Sequence, residues 1–254
     1  MKQSLSWWCF QGRGVGDETL LNEARKIGYE AVELINAEKF GLVVDTGLTI
    51  AAHVGHSGMT DGLNDPRNHD LIEREITANL ELAYKYDIPN LIVFSGNRRP
   101  GLTEEQGAEY TAAGLRRVAK SAEDAGVCLI IELLNSKVDH HGYQADHTAW
   151  MASVIEAVGS SSVKILYDIY HAQIMEGDLI RTIKNNHKII GHYHTAGNPG
   201  RNDLDNDQEI YYPAVVRAIA STEYDGYIGH EFVPKGEPVA ALRAAYELTT
   251  GASL

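Results

Sequence analysis

Val127-Cys128-Leu129-Ile130-Ile131-Glu132-Leu133 is a short β-branched and aliphatic run that ends on a carboxylate. Immediately before it, Thr103–Ala125 carries a helical pattern opening on Thr103-Glu104-Glu105-Gln106. That opening is a capping box, in which Gln106 reaches back to the first turn. The helix closes at Gly126, the residue type that most readily takes the left-handed conformation past a helix end. Helix, glycine and buried strand therefore follow one another within about thirty residues, the economy of an alternating α/β chain.

The same alternation continues outward. Further apolar runs lie at Ser4–Phe10, Ala31–Ile35, Leu48–Val54, Asn90–Phe94, Val163–Asp168, Ile189–His194 and Tyr227–Phe232. Between them, Asp70–Tyr86 repeats Ile72, Ile76, Leu80 and Ala83 at helical spacing. Asp146–Val158, Leu179–Asn186, Tyr212–Ser221 and Pro238–Thr250 complete the helical set, while Asn36–Thr46 supports only a short helix. Eight strands with intervening helices predict a single (β/α)8 TIM barrel, one domain spanning residues 1–254, with its site at the carboxyl ends of the strands. A doubly wound open sheet is the alternative, but Gly12-Arg13-Gly14-Val15-Gly16 has the wrong spacing for a phosphate loop. Two long irregular segments, Gly55–Asn68 and Thr195–Tyr211, follow predicted strands and are expected to be lids or binding loops.

Composition narrows the function. The 254 residues hold 22 Lys and Arg against 35 Asp and Glu, a formal charge of −13, with 44% hydrophobic residues. That balance argues against nucleic acid as partner, since phosphate binding needs clustered cations. No apolar run is long enough to span a membrane. Met1–Trp8 lacks the apolar core and cleavage site of a signal peptide, so the expected location is cytoplasmic. Two cysteines, Cys9 and Cys128, are too few for a disulfide scaffold. Thirteen Tyr against four Phe leave a homo-oligomer open.

The candidate strand-end residues are His53, Asn97, Glu132, Asp168, His194 and Glu231. Glu132, Asp168, His194 and Glu231 fall on predicted strands five to eight. Three carboxylates converging in an apolar mouth repel one another unless a cation offsets them. Three carboxylates with one imidazole suit Mn²⁺ or Mg²⁺, with Zn²⁺ or Co²⁺ as further candidates. The bland alternatives are a salt-bridging or capping role for each glutamate, a turn cap for Asp168 before Ile169-Tyr170-His171, and a core role for His192.

The segments Glu132-Leu133-Leu134-Asn135, Tyr167-Asp168-Ile169-Tyr170-His171 through Glu176-Gly177-Asp178, and Gly191-His192-Tyr193-His194 through Gly200-Arg201 carry a family resemblance, continued by Gln208–Tyr212 and Gly226–Phe232. The chain resembles the xylose-isomerase-like barrel superfamily, most closely its hydroxypyruvate isomerases. The resemblance implies that Glu132, Asp168, His194 and Glu231 hold a divalent metal. It further implies that Glu132 and Glu231 form the acid/base pair and that His171 and Arg201 touch substrate, with His53 a third substrate-binding candidate. The implied reaction interconverts hydroxypyruvate and tartronate semialdehyde, or a similar small ketoacid or sugar, through an enediolate. One departure stands out. Hydroxypyruvate isomerases usually carry Gln where this chain has His194, and His192-Tyr193-His194 is more similar to the ketose 3-epimerases, whose next loop lacks Ala196-Gly197-Asn198-Pro199-Gly200-Arg201.

The alternatives in view are a ketose 3-epimerase, a metal-dependent lyase on oxidised sugars, a DNA-repair phosphodiesterase and a non-catalytic sugar-binding barrel. The phosphodiesterase needs a basic face, and the binding barrel gives Glu132 and Glu231 no task. Arg201 is expected to hold a substrate carboxylate through its planar fork, against the alternative of a surface pair with Asp203 or Asp205.

Overall fold

Ser4, Leu5 and Ser6 pair in parallel with Ala31, Val32 and Glu33, and Lys2 to Leu5 pair in parallel with Tyr227 to His230. These contacts, in a computed structural model that describes residues 1–253, set the first strand between the second and the last. The strands are β1 (Lys2–Ser6), β2 (Ala31–Glu33), β3 (Thr49–Val54), β4 (Asn90–Val93), β5 (Cys128–Glu132), β6 (Val163–Asp168), β7 (Ile190–Thr195) and β8 (Tyr227–His230). Their order closes from β1 through β8 in sequence, a (β/α)8 barrel. Among the described residues, no helix is long and apolar enough to cross a membrane.

Packing divides the chain into two compact units. One comprises Met1–Ala51, Asp178–His187 and His192–Leu254; the other comprises Ala52–Gly177 and Lys188–Gly191. In the first, β1 lies between β2 and β8, and His194 of β7 is in register with Gly229 of β8. Tyr29, fully buried, donates its hydroxyl to the Leu242 carbonyl at 2.9 Å and so ties the C-terminal helix Pro238–Ser253 to the entry of β2. Gly28, at φ 124°, precedes it; a Cβ there would run into the Tyr246 ring, which leaves glycine as the fitting residue.

In the second unit, β4 pairs with β5 from Asn90↔Cys128 to Val93↔Ile131, and β5 pairs with β6 up to Glu132↔Leu166. Parallel strands buried on both faces read as continuous apolar runs, as Leu129-Ile130-Ile131 does. The expected helix before β5 forms at Glu104–Ala125. Thr103 and Gln106 complete the capping box with two 3.1 Å bonds, and Gly126 ends the helix at φ 68°. The segment Gly55–Asn68 is pinned to the strand beside it, with Asn64 N–H donating to the Ser95 carbonyl at 2.7 Å and Asn64 Nδ2 to Gln144 Oε1 at 2.8 Å.

Several boundaries depart from the sequence expectation. The first strand ends at Ser6, and Trp7–Phe10 makes a helical turn. Trp7, Cys9 and Phe10 are all buried while Trp8 is 40% exposed, a pattern that two-residue alternation cannot produce. The other expected strands Ala31–Ile35, Asn90–Phe94, Val127–Leu133 and Tyr227–Phe232 run past the ladders, because buried apolar residues continue into the loops. Two helices had no counterpart in the expectation, Asp17–Ile27 and Ile169–Met175. The first buries only Leu20, Leu21 and Ala24, a stripe too narrow to stand out.

Candidate functional site

Each compact unit carries part of the expected constellation. In the unit built on Ala52–Gly177, β5 ends on Glu132 and β6 on Asp168, both buried. Each offers a ligand atom within 4.8 Å of the other. Asp168 also caps the helix Ile169–Met175, accepting the His171 N–H on Oδ1 at 3.0 Å. The cap commits Oδ1 to the helix, while Oδ2 lies on the side of His171 Nε2. His171 is fully buried beside it, with Nε2 at 3.8 Å from Asp168 Oδ2. His53, in register with Leu91 near the end of β3, lines a depression with His56, Ser57, Glu75 and Asn79. Asn97 bridges Tyr143, and its carbonyl accepts from Asn64 Nδ2, which makes it part of the loop scaffold.

The other unit carries His194 and Glu231. His192 and His194 alternate on β7, so both point to the same side. Each places Nε2 on one oxygen of Glu33, at 2.9 and 3.0 Å, and Ser4 donates its hydroxyl to the other oxygen at 2.8 Å. Glu33 is fully buried at the end of β2. Burial alone would raise its pKa, but the two imidazoles outweigh that and hold it below the ordinary carboxylate range. A Cβ on Gly229 would overlap the Glu33 carboxylate, so glycine there makes room for the charge.

Glu231 follows β8, and its N–H donates to the Thr195 carbonyl at 3.0 Å. Trp8 Nε1 donates to Oε1 at 2.9 Å, Arg201 Nη2 to Oε2 at 2.6 Å, and His194 Nδ1 stands 3.3 Å from Oε2. Burial would push the Glu231 pKa up, yet the Arg201 guanidinium and then His194 and the Trp8 N–H keep it well below its usual value. Arg201 lies in the left-handed region, at φ 55°, with its guanidinium 5.2 Å from the Trp8 ring centroid. The loop is tied down by Val233 N–H on the Arg201 carbonyl at 2.8 Å and by Asn202 Nδ2 on the Val233 carbonyl at 2.8 Å. Asp203 and Asp205 instead bind Lys235, at its N–H and at Nζ. Next to Glu231, burial keeps His230 neutral, with its pKa lowered to about 3.

The donor chemistry fits a hard divalent cation. The Glu33 carboxylate can only accept, so His194 Nε2 carries the proton that it shares with Glu33. Nδ1 of the same ring faces Glu231 Oε2 at 3.3 Å, where a neutral ring would offer its lone pair to a bound cation. His194 and Glu231 together offer one ring nitrogen and one carboxylate oxygen to a cation in a buried site. An imidazole oriented by a carboxylate is also the usual arrangement around a protein-bound metal.

Three features were missed in the sequence. Glu33 sat inside the expected strand Ala31–Ile35, and its only signal was a charge in an apolar run. Trp8 was read as a strand residue, and Asn135 had no signal beyond its place in the quoted Glu132-Leu133-Leu134-Asn135 segment.

Several known proteins are similar to this chain in sequence or in fold. A putative hydroxypyruvate isomerase of Drosophila melanogaster is 25% identical over 230 residues, covering 86% of both chains. The hydroxypyruvate isomerase of Escherichia coli K12 is 33% identical over 148 residues, which span 58% of this chain and 57% of that enzyme. A 2-oxo-tetronate isomerase of Pectobacterium atrosepticum is 28% identical over 192 residues, 75% of this chain and 70% of that one. Among solved structures, a family 2 AP endonuclease from Brucella melitensis superimposes with a TM-score of 0.84 at 22% identity, over 95% of this chain and 97% of that one. The D-psicose 3-epimerase of Clostridium cellulolyticum H10 does so at 0.81 and 18%, over 99% of each. At these identities the two structures establish the fold alone. The family model for the xylose isomerase-like TIM barrel matches residues 21–250, and the chain belongs to that family.

Proposed function

We propose that this protein is a metal-dependent isomerase of small ketoacids, interconverting hydroxypyruvate and tartronate semialdehyde or a close analogue. Glu132 and Glu231 are its acid/base pair, and Glu132, Asp168, His194 and Glu231 hold Mn²⁺ or Mg²⁺. The observation that carries the reading is the Arg201 guanidinium on Glu231, 2.6 Å away and stacked against Trp8. A mostly buried arginine beside the carboxylate assigned to proton transfer suits a substrate that brings a carboxylate of its own. The sequence relatives named for hydroxypyruvate and 2-oxo-tetronate support the same substrate class.

The divalent ion, when bound, supplies positive charge beside the two adjacent substrate oxygens that become negative in the enediolate. The chain's own groups do the rest. One glutamate takes the proton from the hydroxyl-bearing carbon, the other delivers a proton to the neighbouring carbon, and the hydroxyl proton passes to the former carbonyl oxygen. Arg201, His194 and Trp8 keep Glu231 ionised and fixed in direction, which suits it to take a proton first. Arg201 presents a planar fork of N–H donors beside Glu231, with Nη2 on Oε2. The guanidinium can thus orient a substrate carboxylate next to the proton-transferring group. His171 contacts a substrate oxygen from the Asp168 side.

A ketose 3-epimerase is the second reading, favoured by His194 in the ligand set. Turnover of hydroxypyruvate and of a neutral ketose by the Mn²⁺-loaded protein, with products resolved and solvent deuterium followed, tests the two. Isomerised ketoacid with deuterium on carbon is the expected result. Activity on the ketose alone moves the chain to the epimerases, and no exchange on either substrate overturns the enzyme reading.

A further inference from the structure

Asn135 sits just beyond β5 with every polar atom of its amide committed. Its Oδ1 accepts the N–H groups of Val138 and Asp139 at 2.9 and 3.0 Å. A backbone N–H can only donate, so these two bonds settle which end of the amide is oxygen. The NH₂ end therefore faces the other way. It reaches Asp139 Oδ2 at 2.7 Å and His171 Nδ1 at 2.6 Å. Asp139 Oδ2 also accepts the Tyr170 hydroxyl at 2.8 Å, which holds that carboxylate against the amide. The amide has two hydrogens and two acceptors. His171 Nδ1 must be the second acceptor, so the single proton of a neutral His171 ring resides on Nε2.

We propose that Asn135 is a positioning residue that locks His171 as the Nε2–H tautomer. His171 then meets the substrate as a neutral hydrogen-bond donor and not as a base. This rests on the ketoacid-isomerase reading for its consequence, but the tautomer itself does not. The ring nitrogen on the Asp168 side carries the proton, and the other is held by Asn135. Neither can accept a proton from a substrate carbon without breaking this network. A neutral N–H aimed at a substrate oxygen stabilises the charge that grows on that oxygen as the enediolate forms. The glutamates are left to move the protons. His140 packs its ring edge-on to His171 at 5.3 Å, and Tyr170 does so at 5.0 Å, so the imidazole is also confined sterically.

The test is a two-bond ¹H–¹⁵N correlation spectrum of the full chain at pH 7.5 without substrate. The His171 signal is assigned by its loss in His171→Gln. A protonated Nε2 with an unprotonated Nδ1 is expected, and a proton on Nδ1 overturns the proposal. Asn135→Asp places a second carboxylate oxygen against Nδ1 and should draw a proton there. With metal content matched, kcat on hydroxypyruvate should then fall by about a hundredfold while KM moves much less. Unchanged kcat with a proton on Nδ1 would show that the tautomer has no part in turnover and would also overturn the proposal. If the variant does not fold, the wild-type spectrum still decides. If wild type does not turn over hydroxypyruvate, the reaction assignment fails while the spectrum decides the tautomer separately.

Discussion

Arg201 Nη2 and Glu231 Oε2 are 2.6 Å apart, so the residue expected to anchor substrate holds a residue expected to move protons. The same guanidinium lies over the Trp8 ring, and Trp8 donates to the other Glu231 oxygen. Arginine, tryptophan and glutamate form one connected group whose parts come from the first turn after β1, the loop after β7 and the residue after β8. Changing Arg201 therefore acts on two things at once, the substrate's carboxylate and the direction of Glu231.

For Arg201, the two effects separate by substrate. Arg201→Lys should lower kcat/KM on hydroxypyruvate by about tenfold through loss of the planar fork, and Arg201→Ala by about a hundredfold or more. On a neutral ketose the losses should be smaller, since only the Glu231 contact is removed. Steady-state kinetics of both variants on both substrates check this. Equal losses would make Arg201 a holder of Glu231 and nothing else.

Glu132→Gln and Glu231→Gln should each abolish exchange of substrate C–H with solvent deuterium even where metal remains bound. A base acting only in the transition state costs turnover far more than affinity. Metal content must be measured on the same samples, because both residues are also proposed ligands. Near-normal exchange at full occupancy would make the pair structural.

Glu33 should govern metal affinity without touching substrate. Glu33→Gln leaves a neutral acceptor for only part of the His192 and His194 network, and the expected loss of Mn²⁺ affinity is about ten- to a hundredfold. Titration calorimetry with Mn²⁺ alone reads this directly. Gly229→Ala should weaken binding in the same direction, because its methyl would displace the Glu33 carboxylate. Wild-type affinity in both variants would remove Glu33 from the metal's support.

His56 predicts an acid-sensitive fold. It is buried, with its pKa lowered to about 4 by desolvation, and Phe94 N–H donates to its Nε2 at 2.9 Å. The unfolded chain takes up this proton below about pH 6.5, whereas the folded chain resists until about pH 4. The contribution of the neutral ring is therefore complete above pH 6.5 and is lost as pH falls toward 4. It amounts to about 3 kcal/mol over that window. Urea unfolding of wild type and His56→Gln between pH 7.5 and 4.5 should show the stability gap closing as pH falls. A gap independent of pH would place the cost of the substitution in packing alone.

Much of the architecture was legible because strand and helix periodicities are local. The capping box at Thr103 with Gln106 and the stop at Gly126 need only neighbouring residues, and both appear as read. Val163–Asp168 and Leu179–Asn186 also keep their expected bounds. Trp7–Phe10 misled because an apolar run does not say whether the chain goes straight or turns; burial of three of its four residues follows from the turn.

The sequence alone determined the barrel alternation and put Glu132 and Asp168 at the carboxyl ends of their strands. It also placed His192 and His194 on one face of β7, because residues two apart in a strand share a side. Only the tertiary structure decided what those side chains meet. Glu33 and His194 are 161 residues apart in the chain, and Trp8 and Glu231 are 223 apart. Their meeting depends on β1 pairing with both β2 and β8 at a particular register, and a shift of one residue would turn every side chain to the opposite face. Pairing register is set by the packing of the whole sheet, so no local pattern could name Glu33 as the partner of two histidines or place Arg201 on Glu231.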